Sequence, residues 1–204
     1  MPTVFIVDDD PSVLKGLSRL LRSAKLNPVT FASPHEFLDR YDPHTSGCLV
    51  LDVAMPGLDG LKLQQALIAK GSEIPIIFLT GHGDIPMSVR AMKHGAIDFL
   101  TKPVNDEDLL KAIRIAIETD RVNRKTRAEI NNIRHRLATL TPREREVLEH
   151  VLTGELNKQI AGDLGIVEKT IKVHRGRVME KMGVTSVAEL VHLCEVAGVK
   201  PATR

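Results

Sequence analysis

Between residues 3 and 100 the chain alternates five short apolar runs with stretches of helical spacing, and few folds accommodate that rhythm. The runs are TVFIV (3–7), PVTF (28–31), CLVLD (48–52), PIIFL (75–79) and AIDFL (96–100). Helical patterns lie near 11–25, 34–41, 59–70, 86–94 and from 105 onward. Strands without polar alternation are covered on both faces, and parallel neighbours need a crossover between them. The alternation predicts an α/β unit: a five-stranded parallel sheet, doubly wound. Two helix starts are marked in the sequence. Asp10-Pro11 reads as an N-cap with Pro in the first turn, and Ser33-Pro34 with Glu36 reads as a capping box.

From Asn105 to Thr141 the chain has neither Gly nor Pro. Leu109, Ile113, Ala116 and Ile117 are spaced to face the sheet, whereas 118–129 is polar nearly all round, as in a solvent-bridging or marginal helix. The last helix of the first domain is expected to run on to about residue 136, with fast amide exchange at 119–129. Thr141-Pro142-Arg143-Glu144 opens a new helix, and 142–199 shows helical periodicity only, broken at Gly154, Gly165, Gly183 and Gly198. The expected organisation is a domain at 1–118, a helical linker at 119–138 and a small all-α domain at 139–204.

Charge separates along these boundaries. Residues 1–118 carry 12 basic against 15 acidic side chains, 119–138 carry 6 against 2, and 139–204 carry 10 against 9. An acidic surplus at the front favours a cation site there, and the basic excess behind it favours an anionic partner. Cys48 and Cys194 are the only cysteines, so neither a disulfide scaffold nor a cysteine zinc site is expected. The eight histidines lack ligand-like spacing and read as structural or solvent-facing. No apolar run approaches membrane-spanning length and the N-terminus has no basic leader, so a cytoplasmic protein with no membrane partner is expected.

The strand ends hold the chemistry. Asp8 and Asp9 close the first strand, Asp52 the third, Thr80 follows the fourth and Lys102 lies just past the fifth. In an open parallel sheet these positions share one rim, where ligands bind. Carboxylates gathered there repel unless a cation joins them, and Mg2+ suits oxygen donors beside a phosphate. A hydroxyl and an ammonium next to that ion suit a phosphoryl group. Asp10 reads as the helix cap.

Taken together, D-D, D, T and K, with Pro103 after Lys102, resemble the receiver domain of two-component response regulators over about 3–118. Its fold is the CheY-like sheet. The resemblance implies that Asp52 is the phosphoacceptor for a sensor histidine kinase. It implies that Asp9, Asp52 and the backbone carbonyl of Ala54 hold Mg2+, with Asp8 mostly through water. It also implies that Lys102 pairs with the phosphoryl oxygens across a cis Lys102–Pro103 bond. Thr80 would bond the same group while Phe99 turns inward as the switch. The stretch TGHGDIPMSVRAMKHGAIDFLTKP (80–103) looks like the FixJ group, with Gly81 and Gly83 in its moving loop. Hydrolases of the haloacid dehalogenase type also combine an Asp nucleophile, Thr, Lys and Mg2+, with a second Asp two residues on. Asp8 and Asp10 mimic that superficially, but the reading leaves Asp52 without a role.

The segment NKQIAGDLGIVEKTIKVHRGRVMEKM (157–182) fits helix, tight turn, helix. Ile171, His174, Val178 and Met182 share one side of its second helix, while Lys169, Lys172, Val173, Gly176 and Arg177 share the other, with Arg175 on the flank. A basic face with one small apolar contact suits the DNA major groove. LTPREREVLEHVLTGELNKQIAGDLGI with KTIKVHRGRVMEKM resembles the LuxR/NarL-type output domain over 140–197. That resemblance implies DNA contacts from Lys169, Thr170, Lys172, Val173, Arg175 and Arg177, with Lys172 and Val173 reading bases. Val167 stands where a Ser or Thr cap is expected, and Gly176 where the family often carries a side chain. The chain is thus expected to be a phosphorylation-controlled regulator, not an enzyme beyond self-phosphorylation from small donors and its own dephosphorylation. The expected partners are promoter DNA, a second copy on phosphorylation, and RNA polymerase. The alternative is a receiver whose output binds a protein or RNA.

Overall fold

The computed structural model describes residues 1–81 and 85–202. It divides into two compact units, Met1–Arg124 and Lys125–Arg204. In the first, β1 (Thr3–Val7), β2 (Asn27–Phe31), β3 (Gly47–Leu51), β4 (Ile76–Thr80) and β5 (Asp98–Thr101) form one parallel sheet in the order β2-β1-β3-β4-β5. This is a doubly wound order, and β1 and β3 are neighbours as the shared-rim argument requires.

Both faces of the central strands are buried, so both residue parities are apolar. Phe5, Val7, Leu49, Leu51, Ile76 and Phe78 pack beneath α2 (Pro34–Arg40), α3 (Gly60–Ala69) and α4 (Ile85–Lys93). Val4, Ile6, Cys48, Val50, Ile77 and Leu79 pack beneath α1 (Pro11–Ser23) and α5 (Asp106–Ala138). Burial pushes the Cys48 thiol up to about 12, so it behaves as a core side chain. β2 is a half-exposed edge strand, where Pro28 costs no interior ladder bond.

The expected strands are recovered with small shifts. Thr80 is the last residue of β4, not the residue after it. β5 begins at Asp98 instead of 96, because Gly95 (φ 84) closes α4 and the Ala96 N–H returns to Ala91 O. Both helix caps form: Asp10 accepts from Ser12 N at 2.8 Å, and Ser33 Oγ accepts from Glu36 N at 3.2 Å. The expectation for Gly83 lies outside the described residues.

The segment 119–138, expected as a helical linker, is helical throughout and is divided between the two units. Helix α5 does run on, to Ala138, but its first polar turns belong to the first unit and its last turns to the second. Asp120 is 1% exposed and accepts from Ser46 Oγ (2.8 Å) and Gly47 N (2.9 Å). Arg124 pairs with Asp120 at 2.9 Å and donates to the carbonyls of Pro43, His44 and Thr45. These bonds fasten the loop that enters β3. Gly47 is required there, since its φ is 151° and a Cβ would lie 1.7 Å from Thr3 O. At the far end, Ile133 and Leu137 are core residues of the second unit.

That unit continues with α6 (Pro142–Leu152), α7 (Asn157–Asp163), α8 (Glu168–Met182) and α9 (Val187–Ala197). The Thr141/Glu144 capping box is present, and buried Glu144 also takes Lys181 Nζ at 2.6 Å. The Lys181 hydrogen bond, with further bonds from Thr141, holds the Glu144 carboxyl below the ordinary carboxylate range. Gly165 (φ 64) makes the turn between α7 and α8, with Ile160 and Ala161 buried and Leu164 and Ile166 packed against the same core. Val167 supplies no side-chain cap to α8, as its apolar side chain dictates.

Candidate functional site

The pairing of Val7 with Leu51 sets Asp8 and Asp52 one residue beyond the matched ends of β1 and β3. Lys102 follows β5 directly, and its N–H donates to Thr80 O at 2.8 Å, tying the fourth and fifth strand ends together. Lys102 Nζ lies 2.6 Å from Asp8 Oδ2 and 3.2 Å from Asp52 Oδ1. Asp8, Asp52 and Thr80 are buried, Asp9 is exposed beside them, and the Lys102–Pro103 bond is cis. Asp8, Asp52 and Lys102 therefore meet at one point, with buried Thr80 tied to Lys102 through its backbone carbonyl and exposed Asp9 next to Asp8 in the chain. Phe99 is half-buried on β5 with its ring 5.9 Å from that of Phe78.

Among the described residues, the carboxylates of the rim outnumber its cations. Burial pushes the Asp52 carboxyl above its ordinary value and the Asp8 charge adds to that, against the opposing pull of Lys102. Burial also works against the Lys102 ammonium, but its bonds to Asp8 and Asp52 hold its pKa above the ordinary lysine value. Asp8 and Asp52 share one lysine, exposed Asp9 follows Asp8 in the chain, and all three offer oxygen. That donor set and its uncompensated charge fit a hard cation such as Mg2+. Asp10 is not part of it: its carboxyl caps α1, and the Ser12 side-chain hydrogen bond lowers its pKa.

Two further residues, Gly60 in the turn after Asp52 and Gln64, hold this region in place through contacts that their local sequence does not signal. Gly60, the first residue of α3, packs so close that a Cβ would stand 2.2 Å from Asp52 O, so only glycine leaves the Asp52 backbone where it is. Gln64, buried on α3, donates to Ala91 O (3.2 Å) and His94 O (3.3 Å) and fastens the C-terminal end of α4. Neither carries a chemical signature in a linear sequence.

In the second unit, Ile171, Val178 and Met182 are buried and His174 is half-buried, while Lys169, Lys172, Val173 and Arg177 are exposed on the other side of α8. Thr170 is half-buried. Arg175, on the flank, is half-buried and its Nη1 donates to Asn157 Oδ1 at 3.0 Å, bracing α8 against α7. Gly176 has open space where a Cβ would go. Packing among the described residues gives no reason for a glycine there, which costs a helix about 1 kcal/mol relative to alanine.

Comparison with known proteins agrees with both halves. Residues 4–114 match the response regulator receiver domain, and residues 138–194 match the luxR family of bacterial regulatory proteins. The chain belongs to the response regulators that join a receiver to a luxR-family DNA-binding domain, and it is a transcriptional regulator of that kind. It is 48% identical to nodulation protein W of Bradyrhizobium diazoefficiens, over 96% of this chain and 86% of that one. It is similar to the structure of the response regulator StyR (TM-score 0.86, 50% identity, 95% and 98% of the two chains). It is also similar to full-length FixJ from B. japonicum (TM-score 0.59, 42% identity, 97% of each chain). A receiver implies a sensor kinase as partner, and domains of this kind typically use Mg2+. Among the described residues, no helix is long and apolar enough to cross a membrane.

Proposed function

We propose that Asp52 accepts a phosphoryl group from a phosphohistidine of a sensor kinase, and that the phosphorylated chain dimerises and binds promoter DNA in the cytoplasm. The observation that carries this reading is the meeting of Asp52, Asp8 and Lys102 at the carboxyl edge of the sheet, where β4 ends on buried Thr80. A carboxylate oxygen of Asp52 forms the new P–O bond while the P–N bond breaks and its electron pair returns to the imidazole. Lys102 neutralises phosphoryl oxygens, and Thr80 donates its hydroxyl to the phosphorylated group, drawing Phe99 inward. Asp9, Asp52 and the Ala54 carbonyl would hold Mg2+, with Asp8 through water, and the ion when bound supplies positive charge to the transferring oxygens. Acetyl phosphate with Mg2+ is expected to add a single hydroxylamine-labile phosphoryl group, which Asp52→Asn abolishes. Labelling of the variant at the wild-type rate would refute the assignment.

Helix α4 presents Ile85, Val89 and Met92 to solvent, and this apolar surface beside the Thr80 strand supports α4 and β5 as the dimer face. On DNA, Lys172 and Val173 read base edges from the exposed side of α8, with Lys169, Thr170 and Arg177 contacting phosphates or flanking bases. Arg175 keeps a phosphate-contacting role only in addition to its bond to Asn157, and contact with RNA polymerase follows promoter binding. Lys172→Ala is expected to weaken specific binding by about tenfold, corresponding to ~1–3 kcal/mol for a base contact, with a smaller loss on random DNA. Equal losses on both, measured by fluorescence anisotropy, would assign Lys172 to the phosphate backbone.

A further inference from the structure

The second unit gathers a set of metal-ligating side chains that its DNA-binding role does not use. His150 lies in the last turn of α6, Glu155 just before α7, and Asp163 is the last residue of α7. Their ligand atoms all lie within 4.8 Å of one another, and His150 Nδ1 is 2.6 Å from Glu155 Oε2. The His150 and Glu155 side chains are 19% and 9% exposed, whereas Asp163 is exposed, so the group is walled on one side and open on the other. The opening is a cleft of about 650 Å3, also lined by Lys158 and Gln159, with room for an ion and its remaining waters. In the sequence these donors are separated, and two of the three are carboxylates, so a survey of histidine spacing passes over them.

We propose that His150, Glu155 and Asp163 form a binding site for a divalent transition-metal ion of the zinc class. One imidazole with two carboxylates is a borderline donor set of the kind zinc accepts, whereas Mg2+ prefers oxygen alone. Zinc bonds of about 2.1 Å at the tetrahedral angle place ligand atoms roughly 3.4 Å apart. The His150–Glu155 pair therefore opens by less than about 1 Å, and coordination through Nδ1 puts the imidazole proton on Nε2. Two carboxylates balance the dication, and Lys158 opposes it. The ion ties the end of α6 to both ends of the seven-residue α7, whose Asn157 holds Arg175 of α8. It is thus a brace on the helix–turn–helix.

The test uses the tag-free full chain with Mg2+ in excess, so that the aspartate rim is satisfied. Zn2+ is titrated against a chromogenic chelator, and Co2+ is followed by its visible absorption. The expected result is a single equivalent of Zn2+ and a Co2+ band of low-coordinate intensity. His150→Gln and Glu155→Gln each weaken binding by about tenfold or more, and Lys158→Ala tightens it. Circular dichroism without metal checks that each variant folds, and Lys158→Ala decides the matter if His150→Gln does not. Absence of binding, or Zn2+ affinity indifferent to Glu155→Gln and Lys158→Ala, would show that the trio is only a hydrogen-bonded brace and overturn the proposal.

Discussion

Lys102→Ala is expected to lower the stability of the first unit by about 3 kcal/mol in Mg2+-free buffer near neutral pH, because it leaves buried carboxylates without their cation. Lys102 reaches Asp8 at 2.6 Å and Asp52 at 3.2 Å, and both carboxyls are at most 5% exposed. The pH dependence has a definite sign. Burial already raises the Asp52 pKa in the folded chain, and removing Lys102 takes away the largest influence that lowers it. A carboxyl whose folded pKa is raised contributes stability below its unfolded pKa, and that contribution is lost as pH rises through the folded value. The deficit of the variant should therefore be greatest at neutral pH, shrink toward acid, and be partly recovered by added Mg2+. Urea unfolding with and without Mg2+ at several pH values measures it. A deficit independent of both Mg2+ and pH would show that Lys102 acts through packing of its alkyl chain.

Arg124→Ala should cost a similar amount, about 3 kcal/mol, for a different reason. The substitution strips the cationic partner from Asp120, which is 1% exposed, and releases the three loop carbonyls that the guanidinium gathers. The loop it fastens leads into Gly47 and hence into β3, the strand that ends on Asp52. The same contacts change the expected exchange pattern. Amides of 119–124 should be protected with the first unit, and fast exchange should be confined to the more solvated turns near 125–129. Wild-type stability in Arg124→Ala, by urea unfolding, would mean that the latch is surface decoration.

The parts of the fold that could be read from the sequence are those whose signals are local or periodic. Apolar runs at strand length specify buried strands, and once β1 and β3 are neighbours the carboxylates that end them must meet. The caps at Asp10, Ser33 and Thr141 are legible because donor and acceptor lie within three residues of each other. Asp120 and Arg124 were illegible because their partners lie some eighty residues upstream and are mostly backbone atoms, so the stretch reads as a solvated helix face. Gly60 reads as a turn residue, since nothing local reveals the backbone of Asp52 pressed against it. Arg175 stands on the flank of a basic face, and only the folded chain brings Asn157 to it.

The central claim is that a phosphoryl group on Asp52 controls DNA binding through dimerisation. A single helix–turn–helix offers few base contacts, so specificity gains most from two copies on half-sites about one helical turn apart. Linking the copies makes the second engagement effectively intramolecular. The most direct measurement is the affinity of the full chain, with and without acetyl phosphate, for a two-half-site operator recovered from DNA bound by the phosphorylated protein. Phosphodonor should tighten binding to that operator by well over tenfold and binding to one half-site far less, with a shift from monomer to dimer mass, and Asp52→Asn should show neither change. Equal affinity and unchanged monomer mass with and without phosphodonor would contradict the coupling, even with Asp52 fully phosphorylated.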